Sequence, residues 1–174
     1  MPAAALPARL VRDTPPPRFG PGGAGTDGAD GKDAAVAAER GASDAPQVRR
    51  GRLLIIDDEV VFSGSLRRLF SNEHDVTVVN RGRDALDQLR GGQRYDAILC
   101  DLVMPEVSGI ELYSELTRIA PEQAACMIFL TGGTFSEKAQ EFLDGIANRW
   151  FEKPCNLEQL KAAVREVIVR NGGR

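Results

Sequence analysis

The sequence predicts an α/β fold, an open five-stranded parallel sheet with helices on both faces. Three observations carry that expectation. Short apolar runs alternate five times with segments of helical period between residues 53 and 169. The runs are continuously apolar instead of alternating, as expected of strands covered by helices on both sides. The repeated strand–helix order then implies right-handed crossovers between parallel strands.

The first unit is LLIID, residues 53–57, followed by EVVFSGSLRRLF, residues 59–70. The second pairs VTVV with RDALDQL, and the third pairs AILCD, residues 97–101, with IELYSELTRI. The fourth is CMIFLT, residues 126–131, then FSEKAQEFLDGI; Thr134 and Glu137 have the spacing of a capping box at its helix start. The fifth is RWFE, residues 149–152, then LEQLKAAVREVIV, where Leu157, Leu160, Val164, Val167 and Ile168 fall on one stripe. Asn156 and Gln159 fit a second capping box ahead of that helix.

Residues 1–50 read differently. TPPPRFGPGGAGTDGADGKD is rich in Pro, Gly, Ala and Asp and has neither period. Such a stretch buries too little apolar surface to offset its ordering entropy, so it is expected to be a disordered tail acting as a linker. The folded domain is expected over residues 51–171.

With 174 residues and 43% hydrophobic content, the chain has room for one ordinary domain with a proper core. A net charge of −3 argues against a general nucleic-acid binder. No apolar run approaches a membrane span, and the N-terminal MPAAALPARLVRD lacks the order of a secretion signal. A cytoplasmic protein is expected. Cys100, Cys126 and Cys155 show neither Cys-x-x-Cys nor zinc spacing, which favours reduced, partly buried thiols. His74, in SNEHDV before the second strand, reads as a solvated loop residue at the far end of the sheet.

In open parallel sheets the functional crevice lies beyond the carboxyl ends of the strands. Here those ends carry Asp57-Asp58-Glu59, then Asp101, then Thr131 with Gly132 and Gly133, then Lys153-Pro154. Clustered carboxylates at neutral pH need protons or a cation, and oxygen-only donors suit Mg²⁺. A carboxylate neutralised in this way is a competent nucleophile toward phosphorus. The resulting acyl phosphate has oxygens to satisfy, which Mg²⁺, Lys153 and the Thr131 hydroxyl can share, with Gly132 leaving space. Asp101 is therefore expected to be a phosphoacceptor. The bland alternatives are a helix cap at Asp57, a cap at Thr131 and a surface lysine at 153. Each is ordinary alone, but all four strand ends of one edge are not ordinary together.

LLIIDDE, DLVMPEVSG, FLTGG and WFEKP, in this order and spacing, resemble the receiver domain of two-component response regulators, of the CheY-like superfamily. The resemblance implies strand order 2-1-3-4-5 and a phosphorelay role. It makes Asp101 the acceptor, Asp58 a direct Mg²⁺ ligand, Asp57 an acidic partner acting through water, and the Val103 carbonyl a further metal contact. Thr131 and Lys153 match the switch hydroxyl and the phosphate-contacting lysine, and Trp150 the switch aromatic. The Lys153–Pro154 bond matches one that is usually cis, which would aim the lysine inward.

Three positions depart from the usual pattern. Trp150 stands where Tyr or Phe is common, which puts simple coupling of Thr131 to an aromatic flip in doubt. Val103 and Gly133 stand where many relatives use polar side chains to guide or block water, so moderate to slow self-dephosphorylation is expected.

Rival readings fare less well. A haloacid-dehalogenase-type phosphatase needs a second Asp where Val103 stands. A flavodoxin-like carrier needs a Ser/Thr/Gly-rich phosphate loop where Asp57-Asp58-Glu59 stands. A pseudo-receiver that binds partners without phosphorylation remains the alternative.

No enzyme activity beyond the domain's own phosphorylation and slow dephosphorylation is expected. The chain ends at NGGR, soon after the fifth helix. The resemblance therefore implies a stand-alone receiver fed by a histidine kinase or a histidine phosphotransfer protein. It would work either as a phosphate relay or sink, or by offering its fourth helix, fifth strand and fifth helix to a protein partner, with no direct nucleic-acid or membrane contact. TGG…KAQEFLDGIANRWFEKP is also similar to receivers at the ends of hybrid histidine kinases. A monomer is expected, with a weak dimer through the same face as the alternative.

Overall fold

The computed structural model describes residues 50–132 and 136–171. In chain order the elements are β1 (Arg52–Ile56), α1 (Val60–Phe70), β2 (Asp75–Val79), α2 (Gly82–Arg90), β3 (Ala97–Asp101), α3 (Gly109–Ile119), α4 (Pro121–Ala124), β4 (Met127–Gly132), α5 (Glu137–Gly145), β5 (Trp150–Lys153) and α6 (Leu157–Asn171). The strands form one sheet in the order β2-β1-β3-β4-β5. Every neighbouring pair is parallel.

The continuous apolar runs are explained by two cores, one on each face. Successive strand residues point to opposite sides. Leu54, Ile56, Ile98, Cys100 and Phe129 pack with Leu86, Leu112, Leu116 and Leu143 from α2, α3 and α5. Leu53, Ile55, Leu99, Ile128 and Leu130 pack with Leu66, Phe70, Leu160, Val164 and Ile168 from α1 and α6. β1 and β3 lie inside the sheet and are almost wholly buried, while the edge strands β2 and β5 have mixed burial.

Several local expectations need correction. α5 starts at Glu137, and its cap is Ser136, whose hydroxyl accepts from the Ala139 N–H. The cap was expected at Thr134 with Glu137 as its partner, but Glu137 is the first helical residue and so cannot be the third; Thr134 itself lies outside the described residues, as does Gly133. At α6, the Asn156 carboxamide oxygen accepts from the N–H groups of Glu158 and Gln159, so the cap residue is the expected one. Leu157 leaves its stripe and is 46% exposed. The short α4, with Pro121 at its first turn, had no expected counterpart.

His74 is the largest correction. It is 1% exposed, with its ring 6.3 Å from that of Phe70. Its Nδ1 accepts from the Gly51 N–H, and its Nε2 has no hydrogen-bond partner among the described residues. Arg50 fastens the turn that carries the ring inward. The Arg50 guanidinium donates to the carbonyls of Ser71, Asn72 and His74 and pairs with Asp75 at 2.7 Å. The tail expected over residues 1–50 lies outside the described residues apart from Arg50. No helix among the described residues is long and apolar enough to cross a membrane.

Candidate functional site

The carboxyl ends of β1, β3, β4 and β5 bring together residues far apart in sequence. Asp57 follows β1 directly, Asp101 ends β3, Thr131 lies near the end of β4, and Lys153 ends β5. Register fixes their depth: Asp101 lies beside Leu130, Thr131 beside Glu152, and Gly132 beside Lys153.

Asp57 is 0% exposed. Its Oδ1 accepts from the Glu59 N–H at 2.9 Å, and its Oδ2 accepts from Lys153 Nζ at 2.7 Å. The same ammonium donates to Asp101 Oδ2 at 2.7 Å. Asp101 Oδ1 accepts from the Val103 N–H at 3.2 Å, so the carboxylate is aimed by the backbone that follows it. Asp58 is exposed at the mouth, and carboxylate oxygens of Asp57, Asp58 and Asp101 lie within 4.8 Å of one another.

Burial pushes the Asp57 carboxyl above its ordinary range, against the pull of Lys153. Burial also disfavours the Lys153 charge, but hydrogen bonds to Asp101 and Asp57 outweigh it and hold the ammonium above its usual range. Three carboxylates against one ammonium leave uncompensated negative charge. Hard oxygen donors so close together fit a small divalent cation such as Mg²⁺.

The Thr131 side chain is 0% exposed, and its hydroxyl has no hydrogen-bond partner among the described residues. A buried hydroxyl without a partner is uncommon and costly. A Cβ placed at Gly132 would meet nothing within 4 Å among the described residues. Gly109 serves a different need: a Cβ there would overlap the Asp101 carbonyl, so α3 can begin close beneath Asp101 only with glycine.

Other expected residues sit around this centre. Val103 is 65% exposed and follows Asp101 at the rim. Trp150 opens β5 beside Phe129 and is 38% exposed. The Lys153–Pro154 bond is cis. Glu59 does not join the carboxylate cluster; it is exposed and occupies the N-cap of α1. Cys100 is inert packing, its thiol donating to the Asp101 carbonyl while burial pushes its pKa up.

Two contributors were not anticipated from the sequence. The Asn80 carboxamide donates to the Asp57 carbonyl at 2.6 Å and to the Ser63 hydroxyl at 2.9 Å, tying the turn after β1 to the end of β2. Phe62, on α1, places its ring centroid 4.5 Å from Lys153 Nζ. A polar residue closing VTVV was the only hint of the first. Nothing in the spacing hinted at the second.

Comparison with known proteins shows the family and agrees with the fold. The family model described as the response regulator receiver domain matches residues 53–165. Response regulator MprA from Mycolicibacterium vanbaalenii is 33% identical over 120 residues, covering 68% of this chain and 51% of that protein. The chain spans about half the length of the curated relatives it matches. Among solved structures, the receiver domain of the Francisella response regulator 1452 aligns with a TM-score of 0.59 and 25% identity, over 70% of this chain and 98% of that one. The signal receiver domain of a signal transduction histidine kinase from Syntrophus aciditrophicus aligns with a TM-score of 0.60 and 26% identity, over 68% and 90%.

Proposed function

The chain belongs to the response regulator receiver domain family, and on that footing we propose that residues 51–171 form a working receiver whose phosphoacceptor is Asp101. Receiver domains are signalling domains rather than enzymes in the ordinary sense. The observation that supports an active site most strongly is the single ammonium of Lys153 shared between Asp57 and Asp101 at 2.7 Å each. A packing lysine has no need of two carboxylates at a sheet edge.

The donor is a phosphohistidine on a histidine kinase or histidine phosphotransfer protein. An Asp101 carboxylate oxygen forms the new O–P bond while the donor's P–N bond breaks, its electron pair leaving with the imidazole. Lys153 gives up its bond to Asp101 and takes a phosphoryl oxygen. The unpartnered Thr131 hydroxyl donates to another phosphoryl oxygen, drawing the end of β4 toward Asp101. Asp58, Asp101 and the Val103 carbonyl would hold Mg²⁺ with Asp57 as a further acidic partner, and the ion would supply the positive charge that lets an anionic nucleophile meet an anionic donor.

The Thr131 movement biases a pre-existing equilibrium of the α5–β5–α6 face, which carries Trp150 and meets a downstream protein. The exposed, side-chain-apolar Val103 has no group to orient a hydrolytic water, which supports moderate to slow loss of the phosphoryl group. We place the protein in the cytoplasm, as a monomer.

Beryllofluoride, a mimic of the acyl phosphate, tests the reading. Binding that requires Mg²⁺ and disappears in Asp101→Asn is expected. Binding that is equal in both proteins contradicts it.

A further inference from the structure

We propose that Phe62 is a positioning residue for Lys153, a role that rests on the reading of Lys153 as the phosphoryl partner. Lys153 Nζ has three N–H groups. Asp57 and Asp101 accept from two of them at 2.7 Å each. The Phe62 ring is a further partner, its centroid 4.5 Å from the ammonium, within the range in which a ring face attracts a cation. The Lys153 side chain is only 14% exposed, so little water competes for that charge.

The ring differs from the carboxylates in what happens during transfer. When Asp101 becomes an acyl phosphate, Lys153 must exchange a carboxylate oxygen for a phosphoryl oxygen. The ring stays where it is, because Phe62 is rooted in α1 against the Leu66–Leu160 core and also lines an apolar groove with Leu69, Pro154 and Leu157. It therefore gives the ammonium one fixed attraction while its anionic partners change. Without it, the long lysine chain would sample more rotamers and reach the incoming phosphoryl group less often.

Two substitutions separate this role from simple packing. Phe62→Leu removes the ring, whereas a trifluorinated phenylalanine at position 62 keeps the shape and withdraws electron density from the ring face. Both are expected to slow phosphorylation by acetyl phosphate about tenfold, and Phe62→Trp to match or exceed the native rate. The Lys153 Hε protons are expected to resonate upfield in the native protein and to lose that shift in Phe62→Leu. A native rate in the fluorinated protein, or an Hε shift indifferent to residue 62, overturns the proposal. The shift is read with neither metal nor donor present, so it decides the contact whichever way the Asp101 reading falls. A native protein that takes up no phosphoryl group condemns that reading alone.

Discussion

Lys153 Nζ stands 2.7 Å from Asp101 Oδ2 and the same distance from Asp57 Oδ2, so one cation holds two buried or nearly buried anions together. Asp58 adds a third carboxylate at the mouth. The site is thus held in a state of electrostatic excess, stable enough to fold and ready to accept positive charge or lose negative charge.

That excess predicts an unusual mutational sign. Asp57 is fully buried, and replacing it with Asn keeps an oxygen for the Glu59 N–H and gives up the Lys153 bond, but it also relieves the burial cost of the charge and its repulsion from Asp101. In magnesium-free buffer Asp57→Asn is expected to be as stable as the native protein or more stable by about 1 kcal/mol. Saturating Mg²⁺ should stabilise the native protein by about 2.7 kcal/mol at a hundredfold excess over the dissociation constant, and the variant by much less. Urea unfolding with chelator and with Mg²⁺ checks both arms. Equal destabilisation of the variant under both conditions would count against a cation site here.

His74 predicts acid sensitivity from the opposite end of the sheet. Burial lowers its pKa below the ordinary 6.5, with Arg165 and Arg50 acting in the same direction and Glu73 and Asp75 opposing. An unfolded chain therefore takes up the proton more readily than the folded one. The stability linked to this group is complete above pH 6.5 and declines as pH falls toward the depressed folded value, by at most about 1.4 kcal/mol per pH unit. Because the chain has one histidine, the difference between native and His74→Gln stability curves over that window isolates it. Parallel curves would contradict the assignment.

Much of the fold was legible because burial on both faces leaves a mark that needs no partner: β1 and β3 read as unbroken apolar runs. The site was legible for a related reason. Strand ends of a parallel sheet share one edge, so Asp57, Asp101, Thr131 and Lys153 could be grouped before any contact was known. What escaped depends on non-local geometry. His74 looked solvated in SNEHDV because its burial comes from Phe70, Gly51 and the Arg50 clasp, none of which polarity in the loop reveals. Phe62 looked like any apolar residue of α1, since only the path of β5 brings Lys153 over its ring. The cap of α5 was misread by two residues because Thr134 and Ser136 are equally competent in composition, and only backbone conformation separates them.

The central claim is that the Asp101 carboxylate accepts a phosphoryl group. Intact-mass analysis after incubation with acetyl phosphate and Mg²⁺ tests it most directly. The account predicts one added phosphoryl group, about 80 Da, that is lost with chelator during the reaction and absent from Asp101→Asn. No adduct on the native protein, or the same adduct on the variant, would contradict it.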